Sequence, residues 1–92
     1  MNINFTPDAL DDLRAIKAYI AEFDERSASN VISRIRQTIL MFSQFPLLGR
    51  KGLIEGTREF SVVGLPYVII YNIRSETDID ILKILHERQN YP

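Results

Sequence analysis

The sequence predicts an α+β domain in which a helical hairpin packs on one face of a mostly antiparallel sheet, with the element order β-α-α-β-β-β. Two consecutive stretches carry apolar residues at helical spacing, and three later stretches are rich in Val, Ile, Tyr and Phe. Short polar connections separate them, which is the pattern of helices packed on a sheet. A length of 92 residues suits one domain with one core, and we expect that domain to span residues 1–92.

The first half of the chain predicts one short strand and two helices. Apolar and polar residues alternate in "MNINF", which suits a strand with one buried face. Thr6 can cap the first helix and Pro7 fits its first turn. The apolar stripe of this helix is Leu10, Leu13, Ile16, Ile20 and Phe23. Asp24 offers a second cap, and the second stripe, which lasts until Pro46, is Ala28, Val31, Ile32, Ile35, Ile39, Phe42 and Phe45. Two such helices joined by a short turn should form an antiparallel hairpin.

The second half predicts one loop and three strands. Residues 46–57 are rich in glycine and lack periodicity, so we expect the only sizeable loop there. The strands are "TREFSVV", "YVIIYNIR" and "DIDILKILH". The connections "GLP" and "SET" are short enough for hairpins.

Both faces of the predicted sheet carry apolar residues. In the middle strand Tyr67, Ile69, Tyr71 and Ile73 point one way, whereas Val68 and Ile70 point the other. In the last strand the same alternation places Ile79, Ile81 and Leu85 on one face of the sheet. It places Leu82 and Ile84 on the other face. Two helices cover only one face. The loop and tail, another copy of the chain, or a partner must therefore cover the second face.

Composition limits the possible functions. The chain has no cysteine and one histidine, so we expect neither disulfides nor an all-protein zinc site, and no cofactor. The formal net charge of −1 argues against unspecific binding to nucleic acid. The N-terminal residues do not resemble a signal peptide, and no apolar run is long enough to span a membrane. We expect a soluble cytoplasmic protein.

Arg58 and His86 are the candidates for catalysis. Arginine can stabilise a phosphate in a transition state, and histidine can move a proton at neutral pH. Metal-free cleavage of RNA needs little more, because the 2′-hydroxyl is the nucleophile. However, the six acidic residues of the second half equal its six basic residues in number, which also favours a structural role for any one arginine.

His86 and the tyrosines also have structural interpretations. A histidine that closes an apolar strand is commonly held by a backbone group or a neighbouring side chain, and it then fixes the tail. Tyr67, Tyr71 and Tyr91 could stack on bases, but tyrosines at alternate strand positions are usually core residues.

Four motifs in register resemble the RelE/ParE superfamily of bacterial toxins. They are "FPLLGR", "GTREFSV", "LPYVIIYNI" and "ILKILHERQNYP", and they follow a helical hairpin. The "GTRE" motif and the C-terminal pattern look most like the ParE branch, although that branch typically has tryptophan where this chain has Tyr91. The family fold is a helical hairpin on an antiparallel sheet.

The resemblance implies a toxin that inhibits DNA gyrase without being a hydrolase. It also implies a cognate antitoxin, which we expect to be acidic and partly disordered and to cover the apolar sheet surface. The expected partner-binding residues are Arg58, Tyr71, His86, Arg88 and Tyr91.

Two alternatives stay open. RelE-like relatives cut mRNA on the ribosome, and here Arg58 and His86 would be catalytic, with Arg88 and Tyr91 as helpers. That branch is usually strongly basic, which this chain is not. The chain could also be an inactive toxin domain that survives only as a binding module.

Overall fold

The computed structural model describes residues 1–89, which form two helices on a five-stranded sheet. The elements are β1 (Asn2–Phe5), α1 (Pro7–Ala21), α2 (Glu25–Met41), β2 (Arg50–Lys51), β3 (Arg58–Ser61), β4 (Tyr67–Ile73) and β5 (Asp78–His86). The strand order in the sheet is β1-β5-β4-β3-β2, and only β1 and β5 pair in parallel. The predicted fold class is confirmed, with β2 as an extra strand inside the predicted loop.

Side-chain caps fix the start of both helices. Thr6 Oγ1 accepts a hydrogen bond from Ala9 N–H at 3.2 Å, and Pro7 occupies the first turn of α1. Asp24 accepts from Arg26 N–H at 3.0 Å and from the Ser27 hydroxyl at 2.8 Å. The expected caps are therefore confirmed at Thr6 and Asp24.

The Asp24 cap should make stability depend on pH. Hydrogen bonds from the Ser27 hydroxyl and then from Arg26 N–H hold the pKa of Asp24 below its ordinary value. A depressed pKa means that the folded state favours the carboxylate, so the cap stabilises above about pH 4 and its contribution is lost as the pH falls through the folded-state pKa. We expect Asp24→Ala to lower Tm at pH 7 and to approach wild type near pH 2. Thermal melts across pH check this, with Glu22→Ala as the exposed control, and a Tm difference that does not change with pH would contradict it.

The main core lies between the helical hairpin and the sheet. Phe42, at the end of α2, stacks on Tyr71 of β4 with 4.1 Å between ring centroids, and it meets the ring of Phe60 edge-on at 5.9 Å. The other buried members of this core are Ala9, Leu13, Ile35, Ile39, Val62, Tyr67, Ile69, Ile79, Ile81 and Ile84. The aromatic group therefore ties the end of α2 to the centre of the sheet.

A β-bulge in β5 makes the alternation of its side chains differ from the predicted one. Ile70 pairs with Lys83 but Tyr71 pairs with Ile81, so Leu82 is an extra residue on β5. The bulge moves Ile84 to the core face with Ile81, and it moves Leu85 to the opposite face. The prediction that Leu85 shares a face with Ile79 and Ile81 was wrong for this reason.

The chain itself covers part of the second sheet face. Ile70 and Leu85 are buried there, while Val68 and Leu82 stay half-buried. This apolar strip is bordered by Arg50 of β2, Leu53 of the loop that follows, Glu59 of β3 and Gln89 of the tail. Of the covers that the sequence leaves open for this face, the chain's own loop and tail therefore contribute to the one over Ile70 and Leu85.

The remaining part of the second face is polar. Asn4 donates to the carboxylates of Asp78 and Asp80 at 3.0 and 3.3 Å, and Arg74 pairs with Asp80 at 2.9 Å. Hydrogen bonds from the Thr77 hydroxyl and then from Asn4 hold the pKa of Asp78 below its ordinary value. This end of the face is polar rather than apolar, so it does not need a cover.

Candidate functional site

Tyr71 fixes the loop that precedes β2. Its hydroxyl accepts a hydrogen bond from Gly49 N–H and donates one to Pro46 O, both at 2.8 Å. Burial raises the pKa of Tyr71 above its ordinary value, so the hydroxyl stays protonated and can donate. The side chain is 0% exposed. Tyr71 therefore cannot touch a partner directly, contrary to the expectation from the sequence, and it acts on the loop instead.

Arg58 holds the same loop from the neighbouring strand. It lies opposite Tyr71 in the β3–β4 register, and its Nη1 donates to Gly49 O at 2.7 Å. The N–H and the C=O of Gly49 are thus both bound by side chains of one cross-strand pair. A Cβ at Gly49 would lie 2.8 Å from the Tyr71 ring and 2.9 Å from Glu59 O. Only glycine therefore fits at position 49. We call Gly49, Arg58 and Tyr71 together the clamp.

Arg58 also borders a cleft of about 350 Å³. Its other lining residues are Lys51, Gly52, Glu55, Gly56, Thr57 and Ile73. The guanidinium is half-buried and already bound to Gly49 O. This arrangement fixes the backbone of Gly49, and it places a cationic side chain in the lining of the cleft.

Removal of the Tyr71 hydroxyl should destabilise the loop. Tyr71→Phe keeps the ring stacked on Phe42 but leaves Gly49 N–H without its partner, and an unsatisfied buried group costs about 1–3 kcal/mol. We expect a fall in Tm of about 10 °C by thermal melting, since 1 kcal/mol shifts Tm by about 4–8 °C in a domain of this size. Tyr19→Phe, at an exposed tyrosine, is the control. Equal melting temperatures for the two variants would contradict the clamp.

His86 fixes the start of the tail. Its Nδ1 accepts a hydrogen bond from Arg88 N–H at 3.1 Å, and its backbone N–H donates to Gln89 Oε1 at 2.7 Å. The ring packs edge-on against Tyr67 at 5.6 Å. These contacts match an anchoring role. They also leave Arg88 exposed at the turn. Tyr91, the remaining expected contact residue, lies outside the described residues.

The structure does not bring Arg58 and His86 together. Arg58 lies opposite Tyr71 on one side of β4, and His86 lies opposite Tyr67 on the other side. With about 3.3 Å per residue along a strand and about 4.8 Å between strands, their Cα atoms are roughly 16 Å apart. The buried Ile69 lies between the two positions. The two residues are therefore not neighbours in the sheet, and the Arg58 guanidinium is directed to Gly49 O.

Gly49 and Glu59 are residues that sequence reasoning missed. Glu59 is buried on the second sheet face, where it pairs with Arg50 at 3.3 Å and accepts from Leu53 N–H at 3.2 Å. It thereby closes the loop after β2. The alternation of side chains along β3 could have indicated Glu59, because it places Glu59 on the face opposite Arg58 and Phe60.

Residues 1–89 contain no group of three or more His, Asp or Glu side chains arranged to hold a metal ion. Among the helices of the described part, none is both long and apolar enough to cross a membrane.

Comparison with known proteins gives consistent matches over nearly the whole chain. The family model described as "ParE toxin of type II toxin-antitoxin system, parDE" matches residues 3–91. A protein of Sinorhizobium fredii named "Putative toxin Y4kP" is 37% identical over 90 residues, which cover 98% of this chain and 92% of that protein. A structure of the chromosomal ParDE toxin–antitoxin system from P. aeruginosa superposes with a TM-score of 0.82 at 21% identity, covering 94% of this chain and 95% of that one. This last match shows a shared fold.

Proposed function

Because the chain belongs to the ParE toxin family of type II toxin–antitoxin systems, we propose that it arrests growth by binding and inhibiting DNA gyrase, and that a cognate antitoxin neutralises it. Gyrase and the antitoxin would both be met in the cytoplasm. The proposal does not require the toxin to be an enzyme.

The separation of Arg58 from His86 is the observation that carries the proposal. The nuclease alternative needs a cation and a proton carrier at one phosphate, but these side chains lie on strands either side of β4. Arg58 is also bound to Gly49 O. The near-neutral charge, which offers little attraction to RNA, supports the same choice. We therefore favour inhibition by binding.

We assign direct contact with gyrase to the tail. Arg88 is exposed at a turn that His86 and Gln89 fix, so a short segment is presented in a defined direction. Tyr91 would extend the same contact. In this proposal His86 orients the tail, and Arg58 and Tyr71 act through the loop.

A supercoiling reaction with purified gyrase tests the proposal. We expect micromolar toxin to inhibit supercoiling, and antitoxin added first to restore it. Arg88→Ala should weaken inhibition several-fold without changing Tm, whereas Arg14→Ala, at an exposed arginine of α1, should leave inhibition unchanged. Full supercoiling at micromolar toxin, while a known inhibitor works in the same assay, would overturn the proposal.

A further inference from the structure

Two cationic side chains face each other across β2 and β3. Lys51 lies directly opposite Arg58 in the antiparallel register. Gly52 N–H donates to Thr57 O at 2.8 Å, so the hydrogen bonds of this ladder belong to the neighbouring pairs, and Lys51 and Arg58 form a non-hydrogen-bonded pair. Their side chains leave the sheet on the same face, with Cβ atoms about 4.5–5.5 Å apart. Like charges in such positions repel and destabilise the sheet unless an anion lies between them.

Neither cation has a carboxylate partner in the part of the chain that the structure describes. The ion pairs there involve Arg14, Arg50, Arg74 and Lys83. The buried Glu59, which follows Arg58 in β3, points to the opposite face and binds Arg50. The repulsion between Lys51 and Arg58 is therefore not offset by a neighbouring acid.

Both side chains keep hydrogen-bond donors for a ligand. Nη1 of Arg58 donates to Gly49 O at 2.7 Å, which fixes the position of the guanidinium. A guanidinium has several further N–H donors, and no acceptor within residues 1–89 binds them. The Lys51 ammonium is exposed and also has no acceptor among these residues. A group with several negatively charged oxygens could bind both cations at once, and phosphate is such a group.

The pair lies in the lining of the cleft of about 350 Å³ beside Arg58. Sites for small molecules have volumes of about 300–1,000 Å³, so this cleft has room for more than a phosphate group. Ile73 gives the lining an apolar side chain, and at Gly56 a Cβ would meet no atom within 4 Å. The carboxylate of Glu55, also in the lining, can accept hydrogen bonds from hydroxyl or amino groups. A phosphate, a flat ring and hydroxyl groups occur together in a nucleotide.

The charges around the cleft favour a single nucleotide over a nucleic-acid strand. A strand carries a phosphate on every nucleotide, and further phosphates would approach Glu55 on a chain whose net charge is −1. A mononucleotide brings its negative charge to one place, between Lys51 and Arg58. Its sugar hydroxyls could then donate to the Glu55 carboxylate instead of being repelled by it.

We propose that this cleft binds a mononucleotide whose phosphate lies between Lys51 and Arg58. The bound phosphate offsets the repulsion of the pair and ties β2, which has only two residues, to β3. The cleft is separate from the tail to which contact with gyrase is assigned. The inference therefore goes beyond the proposed function, and it can be tested without gyrase.

Calorimetric titration of the purified toxin with AMP gives the first test. We expect a Kd below about 1 mM for wild type and binding at least about tenfold weaker in Lys51→Ala. Lys17→Ala, at an exposed lysine of α1, is the matched control and should bind like wild type. Adenosine, which lacks the phosphate, should not bind at the same concentrations. No binding of AMP, or equal binding by the two variants, would overturn the inference.

Two other phosphate compounds test the kind of ligand. We expect inorganic phosphate to bind at least about tenfold more weakly than AMP, because it cannot reach Ile73 or Glu55. We expect a single-stranded oligothymidylate, at equal nucleotide concentration, to bind more weakly than AMP as well. Inorganic phosphate as tight as AMP would show that the rest of the nucleotide makes no contact. Tighter binding of the oligonucleotide would assign the cleft to a nucleic acid, and either result would overturn the proposal.

Reversing the charge of Lys51 separates binding from folding. In Lys51→Glu the carboxylate would face Arg58, so we expect Tm to rise by about 2–5 °C while AMP binding is lost. Lys17→Glu makes the same change in net charge on α1 and should not reproduce this combination. A Tm of Lys51→Glu at or below that of wild type would show that the pair does not repel, and AMP binding retained in this variant would place the ligand elsewhere. Either outcome would contradict the inference.

Discussion

Replacing Phe42 by alanine is expected to destabilise the fold by about 3–5 kcal/mol, the usual cost of deleting a buried aromatic ring. Phe42 is fully buried and stacks on Tyr71, and its edge-on contact with Phe60 links the end of α2 to β3. Domains of this kind have only about 5–15 kcal/mol of stability in total. The loss should therefore leave a large unfolded fraction at 37 °C.

Urea unfolding of the Phe42→Ala variant measures this loss. Phe23→Ala is the control, because the same deletion at an exposed ring should change the free energy of unfolding by less than about 0.5 kcal/mol. Phe42→Leu should recover part of the stability by refilling volume without restoring the stack. A Phe42→Ala variant as stable as the Phe23→Ala control would show that the aromatic group does not hold the hairpin on the sheet.

Binding of the cognate antitoxin is expected to raise the melting temperature of the toxin by more than about 10 °C. A ligand at 100 times its Kd stabilises the folded state by about 2.7 kcal/mol, and each kcal/mol shifts Tm by about 4–8 °C in a domain of this size. The toxin exposes Met41, Phe45 and Leu47, which such a partner would cover.

Differential scanning fluorimetry of toxin with increasing antitoxin checks the shift. A non-cognate acidic protein at the same concentrations is the control for nonspecific charge effects. We expect the shift to grow with concentration in the cognate case and to be absent in the control. A Tm that stays constant with excess cognate antitoxin would contradict the proposed neutralisation.

The elements that could be predicted are those fixed by local chemistry. Thr6 and Asp24 mark the helix starts through side chains that reach backbone groups within three residues, and that geometry is readable from sequence. Residues 78–86 alternate strongly enough to give both bounds of β5. The second helix ends at Met41, before the predicted Phe45, because the last apolar residues continue into a turn.

The features that could not be predicted depend on pairing between distant strands. The extra residue Leu82 is visible only in the register of β4 against β5. Arg50 and Lys51 form β2 by pairing with Glu59 and Arg58 of β3. The composition of the loop does not reveal this pairing. Both features decide which side chains share a face, so the alternation of β5 was assigned wrongly beyond Leu82.

Only part of the candidate site could be predicted, because contacts between distant parts of the chain also bring its residues together. The resemblance pointed to Arg58 and Tyr71, and the structure does place them opposite one another. Their shared target, Gly49, is nine positions from Arg58 and contributes no side chain. The sequence therefore indicated the two residues without indicating that both bind the backbone of Gly49.

Expression of the toxin in growing cells, with plasmid superhelicity and transcript integrity measured in the same samples, tests the central claim most directly. If the toxin inhibits gyrase by binding, plasmids will lose negative supercoils as growth stops while transcripts remain intact. Fragmented transcripts alongside unchanged supercoiling would contradict the account and favour mRNA cleavage.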